Sequence, residues 1–294
     1  MPFLFTLLLA IPLGLDLYMP VPEDDPLTIE RIAQGRALFF DTRLSRDGTI
    51  ACASCHDPQR AFTDGRPIAI GVFNRAGRRS APTLVNRGYG RAFFWDGRAP
   101  TLEAQVLQPI QDRNEMDMTL AEVTARVGIS TDEIARALAS FVRSLVSGNS
   151  AFDRFIDGDR TALTAQQQTG LQLFRGKANC TACHVGPTFT DERFHNTGIA
   201  WRDGEVRDEG RFALTGRVED RGAFKTATLR EIARTAPYMH DGSLATLDDV
   251  VDYYDRGGNA APGLDAELRP LHLTDAERAS LVAFLGALNA SALP

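Results

Sequence analysis

The sequence predicts a mostly α-helical fold built of two similar halves with long ordered loops. Three observations carry that expectation. Helix-start signatures recur, each ahead of an amphipathic run. Alternating strand patterns are scarce. One set of short motifs occurs twice, in the same order, once in each half.

The helix starts are capping boxes, in which a Ser or Thr caps the first turn and an acid or Gln three residues on reaches back to it. They lie at Thr119/Glu122, Ser130/Glu133, Thr164/Gln167 and Thr274/Glu277. After Ser130, residues Ile134, Leu138, Phe141 and Leu145 fall on one helical stripe. After Thr274 comes the run E-R-A-S-L-V-A-F-L-G-A-L. The stretches around 64–80 and 197–222 are rich in Gly, Arg and Asp. Aromatic and apolar residues are threaded through them, which marks them as ordered loops.

The repeat reads helix, cysteine pair, loop, helix. Gly35 to Phe39 (G-R-A-L-F) precedes the first cysteine pair, and Gly170 to Phe174 (G-L-Q-L-F) precedes the second. Phe62-Thr63-Asp64 follows the first pair, and Phe189-Thr190-Asp191 the second. This divides the chain into residues 24–160 and 161–294. Residues 1–23 are set apart as an export signal or short anchor, because 3–15 read as an apolar run too short for a membrane span. No Lys or Arg precedes Arg31, so the basic flank of a usual signal is missing. The alternative is an apolar arm packed on the folded body. A net charge of −6 and the absence of any basic run exclude a nucleic-acid partner.

The four cysteines sit in Cys52-Ala-Ser-Cys55-His56 and Cys180-Thr-Ala-Cys183-His184. C-x-x-C-H is the pentad that attaches c-type haem. Two thiols three apart can bond the two vinyl groups of one porphyrin, and the next residue places an imidazole under the iron. A redox disulfide does not need the adjacent His and prefers a βαβ context. A four-cysteine zinc site would need the pairs closer in sequence and would leave both histidines idle. The expectation is therefore two cytochrome c-like haem domains, two covalent haem c groups, no disulfide, and export to the periplasm.

The ligand opposite each iron separates electron transfer from catalysis. No His or Met lies between His56 and Trp95, so the first haem is expected to be five-coordinate or water-bound. Peroxide cleavage there needs an acid–base group. The segment 101–116 offers Glu103, Gln105 and Glu115, and spacing alone does not choose among them. Around the second haem, Leu247, Val250, Val251 and Tyr254 share one helix face. That turns Tyr254 inward and Tyr253 away. Tyr can ligate haem iron, although periodicity alone equally describes a core tyrosine.

Taken together, both C-x-x-C-H sites, F-W-D-G-R-A (94–99), L-E-A-Q-V-L-Q-P-I (102–110), N-E-M (114–116), T-A-P-Y-M-H-D-G-S (235–243) and the helix ending at Tyr253-Tyr254 resemble the bacterial dihaem cytochrome c peroxidase family, which includes MauG. The resemblance spans about residues 25–290. It implies that the haem on His56 is peroxidatic and that on His184 transfers electrons. It implies that Trp95 lies between the haems, that Gln105 and Glu115 form the distal pair with Glu115 as acid–base catalyst, and that His240 stands beside the second haem. It also implies a Ca²⁺ ion on the backbone carbonyls of Thr235 and Pro237. At Ser80 the family usually carries Asn as a calcium ligand, so Ser80 is a weaker donor. At Tyr254 the peroxidases carry Met; Tyr is the MauG-type arrangement, which helps hold a high-valent state shared by both haems. Met239 is read as packing.

Three functions follow. The leading one is reduction of hydrogen peroxide with electrons from a small donor protein, a cytochrome c or a cupredoxin. The second is MauG-like, peroxide-dependent oxidation of a partner protein. The third is a dihaem electron carrier with no peroxide reaction. A homodimer is compatible with each.

Overall fold

The computed structural model describes residues 10–294. All four expected capping boxes form, each with both reciprocal hydrogen bonds, and open the helices Leu120–Val127, Thr131–Ser144, Ala165–Arg175 and Asp275–Gly286. Ser150/Asp153 and Thr246/Asp249 add two more, with Asp in the place of Glu or Gln. Helix is the main regular structure but accounts for only 38% of the described residues. Among the described residues, strands are limited to two antiparallel two-residue pairs, Phe194–His195 with Phe224–Lys225 and Trp201–Arg202 with Glu205–Val206. Most of the chain is therefore loop, a larger share than "mostly α" implies, because a cavity wall has to curve around its contents.

Each half has a core made by one close helix crossing. In the first, Ile29–Phe39 packs on Thr131–Ser144. Gly35 makes this possible, since a Cβ there would sit 1.8 Å from the Ala137 carbonyl oxygen. In the second, Ala165–Arg175 packs on Asp275–Gly286, and a Cβ on Gly170 would sit 2.0 Å from the Ser280 carbonyl oxygen. Ile134, Leu138, Phe141 and Leu145 are all buried in the first core. Leu171, Phe174, Leu281, Phe284 and Leu288 form the second.

Two segments pack across the expected divisions. The helix Ala151–Ile156 packs on the second core through Phe152 and Phe155, and Phe152 N–H donates to the Ala287 carbonyl (3.2 Å). This ties residues 151–156 to the second core. The other concerns the 1–23 segment. Its residues 1–9 lie outside those described, but Leu15 and Met19 are buried. The Leu13 carbonyl accepts from Asn149 N–H (2.7 Å), and the Gly14 carbonyl from Arg230 (2.8 Å). From Leu13 onward the segment is part of the folded body. Among the described residues no helix is long and apolar enough to cross a membrane.

Candidate haem site

One cavity of about 620 Å³ lies at the seam of the two halves. Cys55 and His56 face it from one side, and Cys180, Cys183 and His184 from the other. No cysteine is in a disulfide. Burial pushes the thiols of Cys52, Cys55 and Cys180 up to about 12. Neutral buried sulfur suits a thioether and disfavours a thiolate redox pair.

The two histidines are held in the same way. His56 Nδ1 lies 2.9 Å from the Phe62 carbonyl oxygen, and His184 Nδ1 lies 2.9 Å from that of Phe189. A carbonyl only accepts, so Nδ1 carries the proton and Nε2 is left with a free lone pair. Burial lowers both imidazole pKa values, which keeps them neutral, as an axial ligand must be. Phe62 and Phe189 both sit at positive φ (61° and 53°), a turn that aims their carbonyls back at the rings. The repeated F-T-D motif therefore has a structural reason in each half.

The two residues expected as a distal pair come from neighbouring segments. Gln105 is carried by the helix Leu102–Val106, which Thr101 caps, and Glu115 by the turn after residue 111. Both line the cavity. The Glu115 charge is felt by both Cys52 and Cys55. Burial, reinforced by Asp112 and opposed by Arg98, raises its carboxyl to about 7. Glu103 has a structural occupation instead, a 2.6 Å ion pair with the buried Arg143.

Tyr254 lies at the second motif, on the helix Leu247–Asp255 with Leu247, Val250 and Val251, all four lining the cavity. Burial first, then neighbours that include Cys183 and Cys180, raises its phenol pKa. Its hydroxyl has no hydrogen-bond partner among the described residues. Tyr253 departs from the periodicity argument. It is 1% exposed, donates to the Thr197 carbonyl (2.8 Å) and accepts from Asn259 N–H (3.1 Å). The neighbouring loop covers the side of the helix that the apolar stripe left outside.

Trp95 lines the same cavity. Its indole N–H donates to the Ser80 carbonyl (2.9 Å), and its own carbonyl accepts from Lys225 N–H (2.8 Å). Ser80 N–H in turn donates to the His240 carbonyl (2.7 Å). His240 is stacked on Phe224 with ring centroids 3.7 Å apart, and burial lowers it to about 4. Thr235, Pro237 and Met239 also line the cavity. Neither the Thr235 nor the Pro237 carbonyl accepts a backbone hydrogen bond among the described residues.

Sequence reasoning missed several cavity residues. Arg79 bridges Asp96 (2.7 Å) and Asp208 (2.7 Å) across the seam. Arg87 and Lys225 present cations to the cavity from opposite halves. His195 is held between Asp191 (3.0 Å) and Asp265, and with the Cys183 sulfur as its strongest neighbour is pushed up to about 10. Cys183, Asp191 and His195 could in principle grip a metal ion. Thioether formation would take that thiol, so the cluster belongs to haem attachment. None of these residues sits in a periodic pattern that would have announced it.

Two attachment motifs facing one cavity define a dihaem c-type cytochrome. The comparisons make this more specific. The di-haem cytochrome c peroxidase family matches residues 29–131. The methylamine utilization protein MauG of Methylorubrum extorquens is 41% identical, covering 92% of this chain and 82% of that protein. The cytochrome c551 peroxidase of Nitrosomonas europaea is 35% identical, covering 79% of this chain and 75% of the other. A crystal structure of a MauG-like protein associated with microbial copper homeostasis superposes with a TM-score of 0.86 at 34% identity, covering 93% of each chain. The chain belongs to the di-haem cytochrome c peroxidase family that includes MauG, and two haem c groups are its cofactors.

Proposed function

We propose that this oxidoreductase reduces hydrogen peroxide to water at the haem held by His56, with electrons from a small donor protein. The observation that carries the reading is Glu115, a half-buried carboxyl of pKa about 7 beside the first attachment motif, with Gln105 lining the same cavity. Bound haem iron would supply the redox chemistry: H₂O₂, two protons and two electrons give two waters. Glu115 takes the proton from one peroxide oxygen and returns it to the other, which then leaves as water. A pKa near the working pH suits both halves of that task. Gln105 orients the peroxide by hydrogen bonding. Trp95, fixed at both ends by Ser80 and Lys225, would stand between the bound haems.

The test is Glu115→Gln. Steady-state peroxide turnover should fall by about 10²-fold or more, the usual scale for a lost acid–base group. An unchanged rate removes Glu115 from the mechanism.

Tyr254 supports a second reading. A phenol without a hydrogen-bond partner, aimed into the cavity at the second motif, suits an axial ligand that favours oxidised iron. With the identity to MauG, this points to peroxide-driven oxidation of a partner protein. Tyr254→Met should change the low-spin EPR signal of the ferric protein and leave the high-spin signal alone. An unaltered spectrum would show that the phenol is not a ligand. Two low-spin signals in wild-type protein, with no reaction towards peroxide, would leave only electron transfer.

Four lesser assignments accompany this reading. A Ca²⁺ ion would take the Thr235 and Pro237 carbonyls, with Ser80 contributing weakly. The shared Gly crossings and F-T-D turns support internal duplication. Covalent haem attachment supports a periplasmic location. A homodimer remains compatible with all of these.

A further inference from the structure

Lys225, Arg87 and Glu192 form a buried cluster at the seam. The Lys225 and Glu192 side chains are each 9% exposed and that of Arg87 is 12%. Glu192 is already crowded with donors. It takes Arg87 Nη1 at 2.7 Å and Nη2 at 3.2 Å, and the Arg91 backbone N–H at 3.1 Å. Lys225 Nζ is left with a long 3.4 Å contact to the same carboxylate and 3.3 Å to the Thr226 carbonyl. The nearby Asp191 is engaged by His195. Two cations therefore share one carboxylate in the interior. The orientation adds to this: Arg87 and Lys225 line the cavity, and Glu192 does not. An excess positive charge faces the space between the two attachment motifs.

A buried ammonium is costly without an anion against it. Burial, with Arg87 adding to it and Glu192 opposing it, lowers Lys225 to about 7. The anion should come from inside the cavity. Each haem c carries two propionate carboxylates at one porphyrin edge.

We propose that Lys225, backed by Arg87, binds a propionate of one haem and thereby fixes that porphyrin edge relative to Trp95. The link to Trp95 is a backbone hydrogen bond: the residue whose ammonium would hold the propionate also donates its backbone N–H to the Trp95 carbonyl at 2.8 Å. Lys225 is then a positioning residue that joins porphyrin and indole through one short stretch of chain. The proposal rests on the two-haem assignment, which a haem count tests separately.

The experiment uses the holoprotein. Lys225→Met, Lys225→Arg and Glu192→Gln are purified, and covalent haem per chain is counted. Redox titration then gives both midpoint potentials, and resonance Raman spectra give the propionate bending bands. Lys225→Met should lower the potential of one haem, leave the other in place, and move the propionate band of the same haem. Lys225→Arg should restore both readouts. Glu192→Gln should shift that haem's potential the opposite way, and serves alone if Lys225→Met does not fold. Two attached haems with both potentials unmoved overturn the proposal. So does a potential shift with the propionate band unchanged, which would mean charge acting at a distance.

Discussion

Glu115 meets two opposed demands. Its carboxyl titrates at about 7 in the fold against an ordinary value of 4.5. Between those values the folded chain binds more protons than the unfolded one, so stability falls as pH rises from 4.5 to about 7 and is flat above. The same raised pKa is what makes the group useful in proton transfer. Glu115→Gln should therefore melt higher than wild type at pH 8 and alike near pH 4, while peroxide turnover drops. A thermal melt of both proteins at the two pH values checks the sign. Residue-scale roles of this kind were only partly legible in the sequence. Spacing reached Cys52, Cys55, His56 and their counterparts because thioether chemistry fixes the interval. It could not separate Glu103 from Glu115, since the difference lies in a partner, Arg143, forty positions away. It also missed that Tyr253, turned away from the apolar face, is covered, because the covering loop is remote in sequence.

At the scale of elements, the two helix crossings depend on a missing Cβ. Gly35→Ala and Gly170→Ala would drive a methyl to about 2 Å from a facing backbone carbonyl, so the helices must separate. Each should cost roughly 1–3 kcal/mol, as overpacking does. Gly286→Ala is the control. It ends the helix Asp275–Gly286 with nothing within 4 Å of the added methyl, so it should be neutral or stabilising by up to about 1 kcal/mol. Denaturant unfolding of the three variants measures the contrast, and equal effects would discard the packing argument. The helices were legible because capping boxes and stripes are local signals. The loops were legible only as loops: the turns that aim the Phe62 and Phe189 carbonyls depend on positive φ at non-glycine residues, which no composition announces.

Across the whole molecule, the cavity exists only while the halves stay docked. Arg79 is one of the groups that fasten the seam. Its guanidinium reaches Asp96 in the first half and Asp208 in the second, both at 2.7 Å, and packs over Phe224. Its side chain is 16% exposed, so solvent screens these bonds incompletely. Arg79→Gln would leave Asp208 without its guanidinium partner, while Asp96 keeps Arg98 at 3.1 Å. Removing one partner of a buried pair typically costs about 3–5 kcal/mol, and this partly covered site should lie near the lower end. Much of that loss is the stranded charge, not the lost attraction. Adding Asp208→Asn should therefore recover part of the stability, making the double variant better than the sum of the singles. Equilibrium unfolding of the four proteins gives the coupling directly, and strict additivity would show that Arg79 and Asp208 do not act together. Stopped-flow reduction provides the functional reading. If docking sets the distance between the porphyrins, Arg79→Gln slows electron passage from the second haem to the first, and the double variant regains speed in step with its stability.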